Sequence, residues 1–276
     1  QLMENGDTIV GTGWYQEMVI VPNPGNSQQF YLFTCEITPS AEQGFYWNLI
    51  DLSYNGGLGK VIQKNVQLQN FPVNDGLAAV KHGNGRDWWV VHTRWEATIG
   101  HNEYFIYLVT SDGVFPQPVQ NIGDLLIEGF LRLKFSQNGE LLVATGSNHT
   151  IDLYDFNRCT GLLSNYRQIL LRTEPTLEYL TWSSEFSPDN NRLYTTSIPY
   201  GNNDTLSCLL QFDLTALDIR STLDTIQTFL DPFICGFVKL GPDSQIYLSH
   251  FTDLNDCDFF YLYCDTTYYP EIMNLS

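Results

Sequence analysis

The sequence predicts an all-β protein of the β-propeller class. Similar segments recur along the chain: Lys81, Lys134, Glu185 and Lys239 occupy the same place in four copies, at spacings of 53, 51 and 54 residues. Each copy holds short β-branched or aromatic segments joined by a tight turn, which is typical of a β-hairpin. No segment of ten or more residues has the apolar spacing of an amphipathic helix. Four-stranded antiparallel sheets repeated about an axis are the blades of a propeller.

The repeat defines five predicted blades. Its clearest copies are Gly129–Thr145, Leu180–Thr196 and Cys235–Ser249, and weaker copies are Gly76–Val91 and Glu17–Phe33. We therefore expect one propeller domain over 1–276, with repeats at 17–75, 76–128, 129–179, 180–234 and 235–276, and a candidate closing strand within 1–16. A β-sandwich would give no reason for this period. The count leaves open a complete five-bladed ring or part of a six- or seven-bladed one.

Each repeat has the same internal order of strands and turns. The first two strands flank a turn rich in Asn, Asp and Gly, as at Asn84-Gly85 and Asn138-Gly139. A third strand follows a variable loop, and in four of the five repeats it ends at or beside an aspartate: Asp51, Asp155, Asp213 and Asp265. A further turn leads to the predicted fourth strand, as in Lys60–Leu68 and Arg167–Thr173.

The composition excludes some classes of partner. Asp and Glu number 31 against 13 Lys and Arg, which gives a formal net charge of −18. A nucleic-acid backbone would be repelled over most of such a surface, so we expect no nucleic acid partner. No run approaches the roughly 18 to 20 apolar residues that span a bilayer, so we expect no membrane insertion.

The first strands carry an unusual set of charges. Lys81, Lys134 and Lys239 are three of the chain's five lysines, and all occupy one repeat position. First strands line the axis of a propeller, so these ammonium groups would form a mostly positive ring. This pattern predicts binding of an anionic group, such as a carboxylate or an acidic sugar. The alternative is that each lysine pairs with a nearby Asp or Glu and serves only the structure.

A tryptophan is the further candidate for ligand binding. Trp95 lies in the polar insertion 93–102 between the predicted second and third strands of its repeat. Loops at such positions commonly carry binding residues. We therefore expect Trp95 to be exposed and to contact a protein or glycan ligand. Packing between blades is the alternative role for the chain's other aromatic residues.

A hydrolase is the main alternative function. Glycoside hydrolysis needs two carboxyl groups roughly 5 to 9.5 Å apart. Glu17 and Glu185 lie at or near first strands and are the alternative catalytic residues, although they occupy different offsets within the repeat. Nucleophile-elbow and zinc-protease motifs are missing from the sequence. We therefore expect no catalytic residues and a protein that is not an enzyme.

One acidic cluster resembles a calcium-binding loop only in part. Asp253, Asp256 and Asp258 supply the carboxylates that Ca²⁺ prefers. The segment lacks the sharp-turn glycine and the distal bidentate Glu of such a loop. We therefore predict no cofactor and keep Ca²⁺ at this cluster as the alternative.

The six cysteines do not define a disulfide pattern. Cys257 and Cys264 would lie roughly 23 Å apart if the residues between them form one strand. A disulfide needs Cα atoms within about 7 Å, so these two would pair only if the segment turns. Cys35 and Cys208 lie in predicted strands and fit buried thiols.

Several segments together resemble a known group of propellers. They are QLMENGDTIVGTG, VIVPNPGN, FYLFTCEI, LIDLSYNGGLG, AAVKHGNGRDWWVV, LKFSQNGELLV, EFSPDNNRLYTTS and LGPDSQIYLS. The combination resembles the N-terminal β-propeller region of secreted and cell-surface proteins of Bacteroidetes, which commonly carry type IX secretion or gliding-motility sorting domains. Pieces such as FSPDN also occur in WD-repeat-like and lactonase-like propellers. The resemblance implies an extracellular or cell-surface location and ligand or partner binding, with no catalytic motif.

The resemblance also predicts how much of a propeller ring this chain contains. Members of this group usually have more propeller sequence before the QLMENG stretch and beyond the last repeat, so we expect a fragment of a larger ring. We expect a non-enzymatic binding or adhesion module for a protein or glycan. The alternatives are a carbohydrate-active hydrolase and a structural spacer in a large adhesin. The ligand and the oligomeric state stay open at this point.

Overall fold

The computed structural model describes residues 2–11, 16, 18–37, 40–95, 100–126, 131–146, 150–170, 178–200, 206–230, 233–252 and 272–275. The chain forms two compact units. Unit 1 comprises 1–135 and 154–166, and unit 2 comprises 136–153 and 167–276. Apart from strands, the regular elements of the described residues are two short 3-10 turns, Asn55–Gly57 and Ile219–Thr222. Nothing in this part of the chain is a helix long and apolar enough to cross a membrane.

The strands form five sheets, each made of consecutive strands. Sheet 1 holds β1 (Met18–Pro22), β2 (Gln29–Glu36), β3 (Gly44–Asp51) and β4 (Lys60–Gln69). Sheet 2 holds β5 (Ala78–Lys81), β6 (Trp88–Thr93), β7 (His101–Thr110) and β8 (Gly113–Pro116), and β9 (Gln120–Leu126) also pairs with β7. Sheet 3 holds β10 (Leu131–Phe135), β11 (Leu141–Gly146), β12 (Ile151–Asn157) and β13 (Leu162–Leu170).

The last two sheets continue the series. Sheet 4 holds β14 (Glu178–Phe186), β15 (Arg192–Tyr200), β16 (Leu206–Asp213) and β17 (Asp224–Leu230). Sheet 5 holds β18 (Phe233–Leu240), β19 (Ile246–Thr252) and β20 (Ile272–Leu275). The sheets therefore begin in the order that the sequence repeat predicts. The predicted strand at 259–265 lies outside the described residues.

The aspartates that end the third strands stabilise the turns that follow. Asp51 Oδ1 accepts hydrogen bonds from the backbone N–H and the hydroxyl of Ser53, and Asp213 Oδ1 accepts the same pair from Thr215. Hydrogen bonds to the charged form lower the pKa of both carboxyls, with Gln29 making the largest contribution at Asp51 and Thr215 at Asp213. The repeated aspartate therefore marks the turn between the third and fourth strands.

The N-terminal segment lies against the outer strand of sheet 1. Glu4 forms a single parallel bridge with Lys60, and the backbone N–H of Val10 donates to Asn65 Oδ1 at 2.9 Å. Residues 2–11 contain no regular strand, and 12–15 lie outside the described residues. The prediction of a closing strand within 1–16 is therefore not tested by this segment.

Each unit has its own apolar core. The core of unit 1 is rich in aromatic side chains. Among them, Phe33, Phe45, Phe105 and Tyr107 are buried in one cluster between sheets 1 and 2. In unit 2, aliphatic residues and Phe186 and Phe212 fill the core. The high aromatic content of the sequence is thus largely used in packing.

Candidate functional site

The residues that share one repeat position all lie on first strands. Lys81 is on β5, Lys134 on β10, Glu185 on β14 and Lys239 on β18. Their surroundings differ. Lys81 is exposed, with its Nζ 5.9 Å from the centre of the Trp88 ring across the hairpin, and Lys134 is half-buried. Lys239 is exposed and lies opposite Tyr247.

The lysines do not all belong to one unit. Lys81 and Lys134 are in unit 1, and Lys239 is in unit 2. The predicted ring of positive charge therefore stays a prediction, and each lysine is best considered with its own neighbours.

Glu185 is occupied by backbone hydrogen bonds. Its side chain is 1% exposed. Oε1 accepts from the N–H of Phe186 at 3.1 Å, and Oε2 accepts from the N–H of Leu240 at 3.0 Å. Gln137 Nε2 lies 3.5 Å from Oε1. These contacts give the carboxylate a role in joining sheets 4 and 5.

Hydroxyl groups of sheet 4 bind the same strand of sheet 5. Ser183 Oγ lies 3.2 Å from the Val238 nitrogen, from which it accepts, and Thr196 Oγ1 donates to the Gly236 carbonyl at 2.9 Å. Ser207 Oγ accepts from the Cys235 N–H at 2.8 Å. Glu185 is therefore one of four side chains of sheet 4 that hydrogen-bond the backbone of β18. Because Glu17 lies outside the described residues, the predicted pair of carboxylates has no described geometry.

Trp95 lies at one end of sheet 2. The expectation that Trp95 is exposed is wrong: the residue is half-buried and its indole Nε1 is buried. Its backbone N–H donates to the Pro72 carbonyl at 3.0 Å. Just before it, Arg94 pairs with Val73 in an antiparallel bridge. Asn74 Nδ2 donates to Thr93 Oγ1 at 2.9 Å. These bonds extend the pairing beyond β5 and β6 and hold Trp95 against the segment that leads into β5.

A charged cluster includes Arg94, the residue that precedes Trp95 in the chain. Glu103 Oε2 is 2.9 Å from His101 Nδ1 and 3.7 Å from Arg94 Nη1, and the three side chains are 18–32% exposed. The Arg94 guanidinium lies 5.1 Å from the centre of the Phe71 ring. Cation–π contact and charge pairing therefore hold a partly exposed arginine in place.

The sequence patterns did not predict this cluster. Its sequence signal is an arginine directly after the second strand and a His-x-Glu at the start of the third. Arg94 and His101 lie near the two ends of the insertion 93–102, and Glu103 follows it. Residues 96–99 of that insertion lie outside the described residues.

The remaining predicted groups are placed as follows. Asp253, Asp256 and Asp258 lie outside the described residues, and within the described ones no three His, Cys, Asp or Glu side chains gather as metal ligands. Cys208 and Cys235 are buried free thiols, Cys35 is buried, and Cys159 is an exposed free thiol. Cys257 and Cys264 also lie outside the described residues.

Comparison with solved structures decides the fold. A protein from Lactobacillus plantarum matches with a TM-score of 0.50 and 17% identity over 83% of this chain, and Chaetomium thermophilum Raptor with 0.52 and 8% over 97%. The Cps50 (Swd1) β-propeller domain of Myceliophteria thermophila matches with 0.44 and 12% over 83%. The fold is a β-propeller. With five sheets in the described residues, it has about five blades.

The comparisons do not assign this chain to a protein family. No family model and no curated protein matches this propeller. The chain spans 62% of the L. plantarum protein, 65% of the Cps50 domain and 22% of Raptor.

Proposed function

We propose that this propeller is a non-enzymatic binding module that recognises a protein or glycan ligand. The observation that carries the proposal is the cluster at the end of sheet 2, where Arg94, His101 and Glu103 are partly exposed and Arg94 directly precedes Trp95 in the chain. Ligand sites combine aromatic surface with a few fixed polar groups, and this cluster joins three charged side chains to the half-buried Phe71 ring. Its charges are held by each other and by Phe71, so they are preorganised for a ligand.

The first-strand lysines add further candidates. Lys81 and Lys239 are exposed and Lys134 is half-buried, on a chain with a net charge of −18. Local positive groups on an acidic protein favour an anionic ligand where they lie. We propose Lys81, Lys134 and Lys239 as ligand contacts within their own units.

We also propose a secreted or cell-surface location and an adhesion role. The support is the sequence resemblance to propellers of Bacteroidetes proteins with type IX secretion or gliding-motility sorting domains. Labelling of intact cells of the native organism with an antibody to this chain tests the location. Signal only after lysis would contradict it.

The test of function is a binding screen with matched variants. The protein is applied to a glycan array and to a protein pull-down, together with Trp95→Ala and Arg94→Gln. We expect a ligand whose binding is weakened about tenfold or more by either variant, because each removes a central contact. Leu223→Ala, an exposed apolar residue of unit 2, is the control. Absence of any ligand would contradict the proposal, and absence of glycan hydrolysis as well would leave the spacer role.

A further inference from the structure

Two first strands of unit 2 carry irregularities at equivalent places. The register of β14 with β15 shifts between Thr181 and Ser183, at Trp182. The register of β18 with β19 shifts between Cys235 and Val238, at Gly236 and Phe237. Such β-bulges redirect side chains and are common beside functional sites.

The two bulges bring aromatic side chains together. The ring centres of Trp182 and Phe237 are 6.3 Å apart, and the ring planes are tilted by 60°. Phe237 is 40% exposed and Trp182 is half-buried. Unit 2 therefore presents an accessible aromatic pair, built from the first strands of two sheets.

Lys239 adds a positive charge on the same side. It follows Phe237 by two residues, so both side chains point to one face of the strand, and both are exposed. Two acids that contact the residues next to or opposite Lys239 have hydrogen-bond partners of their own: Glu185 binds backbone N–H groups, and Asp243 accepts from the Tyr247 hydroxyl and the Gln245 N–H. Within the described residues, no carboxylate lies within 4 Å of the Lys239 ammonium, which leaves that charge available.

We propose that Trp182, Phe237 and Lys239 form a subsite for a glycan that contains uronic acid. The rings would stack on the apolar face of a sugar, and Lys239 would pair with its carboxylate. Two rings and one ammonium group offer contacts for one or two sugar residues, whereas a stable protein interface needs about 800 Å² per partner. This inference rests on the proposed binding function and names its ligand class.

The test is calorimetric titration with three uronate probes: oligogalacturonate, oligoalginate and hyaluronan oligosaccharides, each beside its methyl-esterified form. We expect at least one acidic probe to bind, with Trp182→Ala and Phe237→Ala each weakening it about tenfold. Trp182→Phe keeps an aromatic ring and should retain most of the affinity. Lys239→Gln should abolish the preference for the acid over the ester, together with the weakening by salt.

Controls separate this subsite from the proposed function. Arg220→Gln and Leu223→Ala alter exposed residues of unit 2 away from the pair and should leave affinity unchanged. Failure of all three acidic probes to bind would overturn the inference. So would uronate binding that is lost in Trp95→Ala but kept in Trp182→Ala, a result that would leave the proposed function standing. Capture of an acidic protein through the same three residues would also overturn it.

Discussion

The backbone N–H of Leu240 donates a hydrogen bond to Glu185 Oε2 at 3.0 Å. The acceptor lies on the first strand of sheet 4 and the donor on the first strand of sheet 5. The other carboxylate oxygen accepts from Phe186. The buried carboxyl group of Glu185 thus accepts from backbone donors of two sheets, and the residue that was the alternative catalytic candidate joins sheets 4 and 5.

Glu185→Ala should therefore destabilise the protein. Removing the carboxylate leaves buried N–H groups without an acceptor, which costs about 1–3 kcal/mol of unfolding free energy. Urea denaturation followed by circular dichroism measures the loss. Glu140→Ala, an exposed residue of the β10–β11 turn, is the matched control and should change stability by less than about 0.5 kcal/mol. Equal stability of the Glu185 variant and wild type would contradict the structural role.

His92 should make the protein sensitive to acid. It is fully buried among Phe45, Phe105 and Tyr107, and burial lowers its pKa to about 3. In the unfolded chain its pKa is about 6.5, so between pH 6.5 and 3 the unfolded state binds a proton that the native state does not. The unfolding free energy should then fall as the pH falls, with a contribution approaching 1.4 kcal/mol per pH unit.

The variant His92→Phe tests this assignment. Phenylalanine suits the aromatic neighbours and cannot bind a proton, so the stability of the variant should decline less steeply between pH 6.5 and 4. Urea titrations at several pH values measure the slopes. Parallel slopes for variant and wild type would mean that other groups cause the acid sensitivity.

The described cysteines should differ sharply in reactivity. Burial raises the pKa of Cys235 to about 12 and also raises that of Cys208, while Cys159 is exposed. Since the thiolate is the reactive form, iodoacetamide at pH 8 should label Cys159 well before Cys208 and Cys235. Peptide mass spectrometry of native samples measures the order in which the cysteines are alkylated. In the control, urea-unfolded protein, the difference between them should disappear. Early labelling of Cys235 in the native protein would refute the described packing.

Lys64 should fasten the N-terminal segment to sheet 1. Its Nζ donates to Asn5 Oδ1 at 3.0 Å, to the Asp7 carbonyl at 2.9 Å and to Thr8 Oγ1 at 3.3 Å. Lys64→Met should speed amide exchange over 2–11 by roughly fivefold, as expected for losing an interaction worth about 1 kcal/mol. Hydrogen–deuterium exchange measures it, with Lys81→Met as control. Unchanged exchange in the Lys64 variant would show that other contacts hold the segment.

Local sequence patterns predicted the order of strands well. The hairpin turns at Asn84 and Asn138 and the aspartates at Asp51 and Asp213 act within a few residues, so the chain itself carries their signal. The positions of Lys81 and Lys239 on first strands follow from the same repeat. These features needed no knowledge of distant contacts.

Long-range contacts could not be predicted in the same way. Glu185 and Leu240 are 55 positions apart, and no local pattern indicates that a carboxylate will bind a distant backbone N–H. The bulges at Trp182 and Phe237 shift the phase of the two-residue alternation by one residue. The alternation therefore could not predict which face of the sheet these side chains occupy. The contact of Arg94 with Glu103 likewise depends on how two strand ends meet.

The central claim is that this propeller binds a ligand and does not cleave it. The most direct test incubates each glycan that binds on the array with wild type and with Glu185→Gln, and analyses the products by mass spectrometry. We predict binding with no cleavage by either protein. Cleavage by wild type that disappears in the Glu185→Gln variant, while the variant stays folded by circular dichroism, would contradict the account.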